Sequence, residues 1–526
     1  MTLVLDLFVL AVAWIHVLLA PYTKVEESFN LHATHDVLMY GLRPSVLPKY
    51  DHFAFPGAVP RTFVGNVLLA WISTPLIILW NTLGHVSTKF DLQVIVRLTL
   101  ASLNVGGLCY LRRAVSRRFS FLASVFFVLL TCAQFHLPFW MGRTVPNMFA
   151  LLPVNIATSW LIGHSPVSRS QEKEAYKAAI GLLTFTAVVF RAEIVLLLAP
   201  LVLLALLTRK LSLLEVIKVG LYSGLISIVM TIGVDSYFWN TFPLWPEFQG
   251  AYYNVYQGKS TDWGVSPPLT YVKSHLPKLL LGSLPLSLIG AVIDSRIPSL
   301  LFPSVSFVTL ISCLGHKEWR FIIYVVPIFN VAAARGASYL CTRKPIILRR
   351  ILILITTAII TVNVLLTIMF TVSSLWNYPG GEAMTVLHQK YPPLHEPIPH
   401  VYISNLAAQT GASLFLHLNS PPYPSSYLMS KRPSPGLRAW TYNKTEHLSD
   451  QAIASSHQFT HLIVENQPSH ALGEVFKPVA SILAYDRWII AQDAFLKLKG
   501  GAFRMPSDIT KAVRMVKTPK LWILEP

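Results

Sequence analysis

Glu26 and Glu27 stand side by side just after the first long apolar run, in the stretch Tyr22-Thr23-Lys24-Val25-Glu26-Glu27-Ser28-Phe29-Asn30. Two carboxylates at a bilayer surface are costly to bury unless they are paired or used. A carboxylate placed there can take the proton of an attacking hydroxyl, and such general-base help accelerates transfer roughly 10²–10⁴-fold. An acidic pair is also an ordinary feature of an interfacial loop, so spacing alone leaves both readings open. A second block, His316-Lys317-Glu318-Trp319-Arg320-Phe321, crowds ionisable groups between two apolar runs. Lys and Arg suit a phosphate leaving group, Arg through a two-pronged grip and Lys as a point charge. His316 and Glu318 would hold them in place. A charged helix cap that snorkels to the interface has the same composition.

Further ionisable residues fall at similar boundaries: His35 and Asp36, then Asp51, His52 and Arg61, then Arg143 beside Thr144. The pair Arg191 and Glu193, Asp235 opening Asp-Ser-Tyr-Phe-Trp, and Lys259 through Trp263-Gly264 complete the set. Arg191 and Glu193 read equally as a local ion pair, and Arg143 as an interfacial anchor. Trp239, Trp245 and Trp263 suit either an aromatic belt or sugar stacking.

The elements that must position these residues are membrane helices. Of 526 residues, 53% are hydrophobic and only 13% charged, against roughly 25% charged in soluble domains. Apolar stretches near the length of a bilayer crossing occur at about 3–20, 62–83, 93–111, 120–138, 146–163, 178–190, 193–208, 213–234, 278–293, 297–314, 321–341 and 349–375. Lipid-exposed backbone must satisfy its own hydrogen bonds, so each is expected to be helical. The first run lacks a basic leader and a small-residue cleavage site, and reads as a retained helix.

The formal net charge of +18 does not call for nucleic acid. Arg112, Arg113, Arg117, Arg118, Arg209, Lys210, Arg343, Lys344, Arg349 and Arg350 sit in short loops, the pattern of cytoplasmic turns. With those turns on the cytoplasmic side, every polar cluster above faces the opposite side, with the first loop (21–61) and the tail. Asn443-Lys444-Thr445 in that tail is a glycosylation sequon, usable only in a lumen. Composition shifts at Asn377-Tyr378-Pro379-Gly380-Gly381, which reads as a turn. Beyond it, His400–Ser404 and His461–Val464 read as strands of a small mixed α/β domain. The organisation expected is therefore a membrane module over 1–376 and a non-cytoplasmic domain over 377–526.

Absences narrow the chemistry. There is no D-x-D, no phosphate-binding glycine loop and no Cys/His spacing for zinc, so no metal and no cofactor is expected. The four cysteines lie in or beside apolar runs and read as packing residues.

Tyr22–Phe29, Tyr50-Asp51-His52, Phe55-Pro56-Gly57 and Pro60-Arg61-Thr62-Phe63 together resemble the dolichyl-phosphate-mannose-dependent mannosyltransferases of glycosyltransferase family 22. So do Arg143-Thr144-Val145-Pro146-Asn147, Asp235–Trp239 and His316–Tyr324. The resemblance runs from about residue 10 to 385. Lys24–Asn30, Ala33-Thr34-His35-Asp36 and Asn377–Gly381 are most similar to the α-1,6 members, whose acceptor carries seven mannoses. It implies a polytopic α-helical membrane protein of the GT-C fold, with about 11 transmembrane helices and a small luminal α/β C-terminal domain. It places the chain in the endoplasmic reticulum membrane with a luminal active site. The implied partners are a dolichyl phosphate mannose donor, a dolichyl-diphosphate oligosaccharide acceptor and membrane lipid. A β-linked donor and an α-linked product mean inversion through one base. Glu26 maps to the family's base, with Glu27 still open beside it. Lys317, Arg320, His316 and Arg143 map to the donor phosphate. Asp51, His52, Asp36, Arg61, Glu193, Arg191, Asp235, Trp263 and Glu318 become candidates for holding acceptor or sugar, and Asn443 for glycosylation. Rivals are an α-1,2-mannosyltransferase of the N-glycan or GPI pathway, and a lipid or sugar transporter. A transporter would put its charges near the midplane across inverted repeats, whereas here they gather at one rim.

Overall fold

The computed structural model describes residues 2–163, 168–342, 345–430, 438–456, 458–490 and 513–526. Arg343 and Lys344 of the basic turns lie outside the described residues. The chain forms two compact units. One comprises Met1–Leu18, Phe29–Leu76 and Val94–Ile368, the other Leu19–Ser28, Ile77–Gln93 and Met369–Pro526.

The first unit is helical. Among the described residues, six helices are long and apolar enough to cross a membrane: Thr2–Leu19 (α1), Val64–Thr82, Lys89–Arg118, Leu213–Trp239, Trp319–Leu340 and Ile346–Leu375. A seventh is Tyr271–Leu280 with Ser283–Ile293 if that pair, bent by 96°, counts as one span. Shorter apolar helices cover Phe121–Cys132, Ala192–Leu207 and Arg296–Ile311. The chain is a multi-pass membrane protein. Leu213–Trp239 shows why: Leu221, Tyr222, Leu225 and Val229 are each at least 60% exposed, an apolar face that suits lipid rather than water.

Helices meet where side chains are small. A β-carbon on Gly290 would lie 2.0 Å from the Ala332 carbonyl, and one on Gly336 2.3 Å from that of Leu286. The helices Ser283–Ile293 and Val326–Leu340 can approach this closely only because both positions lack side chains. Polar groups inside this packing are paired. Gln134 and Asn330 exchange amide hydrogen bonds at 2.9 Å each, and Gln134 also donates to the Leu280 carbonyl and Ser283. At the sharp bend, Leu281 has φ +49°, and the Gly282 N–H, no longer in a regular helix, donates to Asn363 Oδ1 at 3.0 Å. A bend among apolar helices needs such a substitute partner.

The basic run after residue 111 continues a helix rather than starting a loop. Lys89–Arg118 is unbroken. Arg112, 1% exposed, and Arg113 both donate to Asp6 of α1, at 2.8 and 2.7 Å.

The second unit holds a mixed five-stranded sheet of β1 (His400–Ile403), β2 (Thr441–Asn443), β3 (His461–Val464), β4 (Lys477–Ile490) and β5 (Val513–Glu525). Its order is β2-β1-β3-β5-β4, with β1 parallel to β2 and β3, and β5 antiparallel to β3 and β4. Alternation sorts the faces. Val401, Ile403, Ile463, Leu521 and Ile523 join Ala383, Met384 and Leu387 of the helix Pro379–Lys390. Tyr402, Leu462, Val464 and Leu524 join Phe459, Leu472 and Phe476. The Asn377–Gly381 segment, expected as a turn, starts that helix instead, because Pro379 takes the first helical position where proline costs no hydrogen bond.

Candidate active site

Glu26 and Glu27 occupy the first turn of α2 (Val25–Tyr40). Glu27 is fully buried and its Oε1 accepts from the Lys24 N–H at 3.0 Å, the carboxylate half of a capping box. Glu26 is exposed. One carboxylate therefore holds the helix start, and the other stands at its surface.

The rest of the first loop is tied by acidic residues. Asp36 accepts from the Asp51 N–H at 2.7 Å and pairs with His35 at 2.9 Å, while Asp51 pairs with His32 at 2.8 Å. His52 is buried among Phe53, Phe63 and Trp239, its Nε2 3.0 Å from the Phe238 carbonyl, and burial lowers its pKa. Asp235, on the helix Leu213–Trp239, accepts from Thr62, Thr231 and the Phe63 N–H. Its effect is to pin Arg61–Phe63 in place. Trp239 completes this by donating to the Arg61 carbonyl at 3.0 Å.

The structure gathers a second set around Glu193. Its Oε1 is 2.8 Å from Arg191 Nε, 3.1 Å from Asn147 Nδ2 and 3.3 Å from the Tyr324 hydroxyl, and Asn147 also donates to that hydroxyl at 2.8 Å. Glu247 accepts from the Ala192 N–H at 2.6 Å. Burial pushes its carboxyl up to about 7, with Arg191 pulling the other way. Burial depresses Arg61, and the nearby Arg191 adds to that effect. Sequence reasoning found Arg191, Glu193 and Arg61 but missed Glu247, Asn147 and Tyr324. A glutamate directly after Trp245-Pro246 was the available signal for Glu247.

In the His316–Phe321 block, Glu318 Oε1 accepts from Arg320 at 2.7 Å and lies 2.9 Å from His316 Nε2. The Phe321 ring lies under both Arg191 and Arg320 guanidinium groups, at 5.6 and 5.9 Å. Lys317 is buried and donates to the carbonyls of Ser266 and Leu314. Arg143 is fully buried with its guanidinium 4.2 Å from the Phe139 ring centre. Trp263 is 59% exposed on a short turn. Asn443 ends β2, its Oδ1 accepting from the Thr445 N–H at 2.8 Å. No group of three His, Cys, Asp or Glu is arranged to hold a metal among the described residues.

Residues 4–417 match the Alg9-like mannosyltransferase family, glycosyltransferase family 22. A Drosophila melanogaster protein named Dol-P-Man:Man(7)GlcNAc(2)-PP-Dol alpha-1,6-mannosyltransferase is 37% identical over 462 residues, 88% of this chain and 63% of that protein. The Arabidopsis thaliana protein of the same name is 35% identical over 463 residues, 88% of this chain and 86% of that one. The chain thus spans under two thirds of the fly protein's length and most of the plant protein's. The solved structure of ArnT from Cupriavidus metallidurans bound to undecaprenyl phosphate aligns with a TM-score of 0.55 at 13% identity, covering 91% of this chain and 96% of that one. At that identity the likeness is one of fold, and the fold is GT-C. The chain belongs to the Alg9-like mannosyltransferase family.

Proposed function

We propose that this chain transfers mannose from dolichyl phosphate β-D-mannose onto a dolichyl-diphosphate-linked Man7GlcNAc2 acceptor, in α-1,6 linkage and with inversion. The observation that carries this reading is the likeness, over 88% of the chain, to relatives named for that reaction. The arrangement of charged side chains supports it. The reaction needs one base and one anion-stabilising set, and requires no redox or nucleotide chemistry.

In this reading Glu26 takes the proton of the acceptor's 6-hydroxyl as its oxygen attacks the anomeric carbon. The bond from that carbon to the phosphate oxygen breaks with its electron pair, and dolichyl phosphate leaves. Glu27, spent on the α2 start, keeps Glu26 at the helix surface. Arg320, His316 and Arg143 meet the phosphate charge, Arg320 being steadied by Glu318, while Lys317, expected beside them, holds the Ser266 and Leu314 carbonyls and so fixes the loop that carries them. Asp36, Asp51, His52, Arg61, Arg191, Glu193, Asp235 and Trp263 hold sugar or acceptor, directly or through the loops they fix. The chain makes about 11 crossings of the endoplasmic reticulum membrane, with these residues and the domain after residue 376 on the luminal side. Asn443 is glycosylated there.

The test is a panel of lipid-linked acceptors offered to the purified chain with dolichyl phosphate mannose. One added mannose on the seven-mannose acceptor alone, removed by an α-1,6-specific mannosidase, is the expected result. Extension of a different acceptor, or a product resistant to that mannosidase, would move the chain to another step of the family.

A further inference from the structure

Glu26 and Glu27 open α2, yet the stretch that carries them, Leu19–Ser28, belongs to the unit that holds the sheet. The contacts that hold it there gather on Pro21, Tyr22 and Lys24, just ahead of the carboxylates. Gln93, fully buried, donates through Nε2 to the Pro21 carbonyl at 2.8 Å and accepts through Oε1 from the Ser413 hydroxyl at 2.6 Å. Tyr22 stacks on Phe90 with ring centres 5.4 Å apart, and its hydroxyl lies 2.8 Å from Thr385 Oγ1. Lys24 donates through Nζ to Asn377 Oδ1 at 3.3 Å and stands 5.4 Å over the Tyr378 ring.

Glycines shape the fit at Tyr22. A β-carbon on Gly381 would lie 2.3 Å from Tyr22 Cγ and Cδ1, about 1 Å short of ordinary contact. It would also meet Tyr22 Cβ at 2.9 Å. No side-chain rotation moves a β-carbon, so the backbone at residue 22 would have to give. Gly411, at φ +122°, closes the other side, 3.1 Å from Tyr22 Cβ by the same measure. Only Thr23, Lys24 and Val25 separate Tyr22 from Glu26, and the Lys24 N–H is the donor that caps Glu27. A shift at Tyr22 therefore passes straight to the start of α2. Docking for stability alone needs only apolar area. A notch cut to one ring and a polar chain spent on one carbonyl also fix position.

We infer that Tyr22 is a positioning residue for the base: the notch of Gly381, Gly411 and Thr385 sets where α2 starts, and so where Glu26 stands. This role presupposes that Glu26 is the base, as proposed above. It gives the sheet-bearing unit a part in the chemistry. It also gives Asn377–Gly381 a function, since its last glycine admits the Tyr22 ring and its asparagine receives Lys24.

The experiment measures kcat and the donor KM separately for wild type, Gly381→Ala, Tyr22→Ala, Tyr22→Phe, the Tyr22→Ala/Gly381→Ala double variant and Glu26→Gln. A catalytic group misplaced by about 1 Å costs on the order of 10²-fold, so Gly381→Ala should lose about that in kcat while KM stays unchanged. Tyr22→Ala should also lose kcat, and Tyr22→Phe, which keeps the ring, should retain most of it. With no ring to meet, the Gly381 methyl should cost little more in the double variant, so the two losses should not add. Leu472→Ala serves as the control: it lies in the core on the sheet's other face, and should lower the unfolding midpoint while the folded protein keeps its kcat. If Gly381→Ala does not purify as a single species, Ser413→Ala, which releases the Gln93 amide, carries the test with a smaller loss of kcat. Additive losses, a loss in Leu472→Ala equal to that in Gly381→Ala, or wild-type kcat in Gly381→Ala beside an inactive Glu26→Gln each overturn the inference and leave the proposed function standing. If wild type transfers no mannose, or Glu26→Gln turns over as wild type does, the earlier reading fails instead, and hydrogen exchange decides. Faster exchange of the amides of residues 23–28 in Gly381→Ala then supports the grip on α2, and unchanged exchange refutes it.

Discussion

Asp294 and Glu247 are both carboxylates held beside arginines, and their surroundings push them in opposite directions. Asp294 receives Arg296 through Nε and Nη2 at 2.8 and 2.7 Å, and Arg335 Nε at 2.7 Å, while Arg296 also caps the Arg118 carbonyl at 2.9 Å. The hydrogen bonds from Arg296, aided by Arg335, hold its carboxyl well below the usual range. Glu247 has one backbone donor, and burial drives it up instead. The first cluster is closed, its acceptors spent on the protein's own donors. Around the second, Arg61 keeps capacity that the protein does not use. A charged group inside a membrane protein is thus not functional by composition alone. What separates a clamp from a site is whether its hydrogen-bonding capacity is already filled.

Mutations can break or sharpen this contrast. Asp294→Ala leaves Arg296 and Arg335 without their shared anion and should cost about 2–3 kcal/mol of stability, read as a lower midpoint of thermal unfolding. The folded fraction should keep its kcat/KM within about twofold, since the clamp does not face substrate. Arg61→Ala should do the reverse. Transfer should fall about tenfold or more, while the midpoint moves much less than for Asp294→Ala, because Arg61 is near Glu247 and Glu193 but forms no side-chain hydrogen bond or ion pair with them among the described residues. A large drop in midpoint for Arg61→Ala would erase the distinction drawn here.

Glu247 adds a pH test. Its folded pKa of about 7 lies above the ordinary value of 4.5, so folding favours the protonated carboxyl. That stabilisation is complete below about pH 4.5 and fades as pH rises through 7. The unfolding midpoint of wild type should therefore fall more between pH 5 and 7.5 than that of Glu247→Gln, which has nothing to ionise there. Parallel curves would mean that Glu247 is better solvated than its burial implies. The smallest effect is expected from Gly65→Ala. Its new methyl must displace Phe149, which should cost about 1 kcal/mol of stability, read as a slightly lower unfolding midpoint.

Several of the membrane helices were legible because hydropathy alone dictates them: Thr2–Leu19, Val64–Thr82 and Ile346–Leu375 lie within a few residues of the expected runs. The strands at His400 and His461 were legible through their β-branched and aromatic runs. The long β4–β5 pair was not, since its register joins residues far apart in sequence and carries three irregularities. At the site, charge at apolar boundaries pointed to Arg191, Glu193 and the His316 block. It could not reveal that Asp235 is occupied in pinning Thr62 and Phe63, nor that Lys317 caps carbonyls. Asn66 and Asn147 look like ordinary polar residues within apolar runs, and only their three-dimensional partners distinguish them. Whether a polar group is filled or free is a property of the fold, and no residue type encodes it.

The most direct measurement follows mannose transfer by purified wild type, Glu26→Gln and Glu27→Gln, with dolichyl phosphate mannose and the seven-mannose lipid-linked acceptor, by mass and by donor binding. Wild type should add a single α-1,6 mannose. Glu26→Gln should lose roughly 10²–10⁴-fold in turnover while still binding donor, and Glu27→Gln should lose stability ahead of turnover. Equal turnover in all three proteins would contradict the assignment of the α2 start as the source of the base.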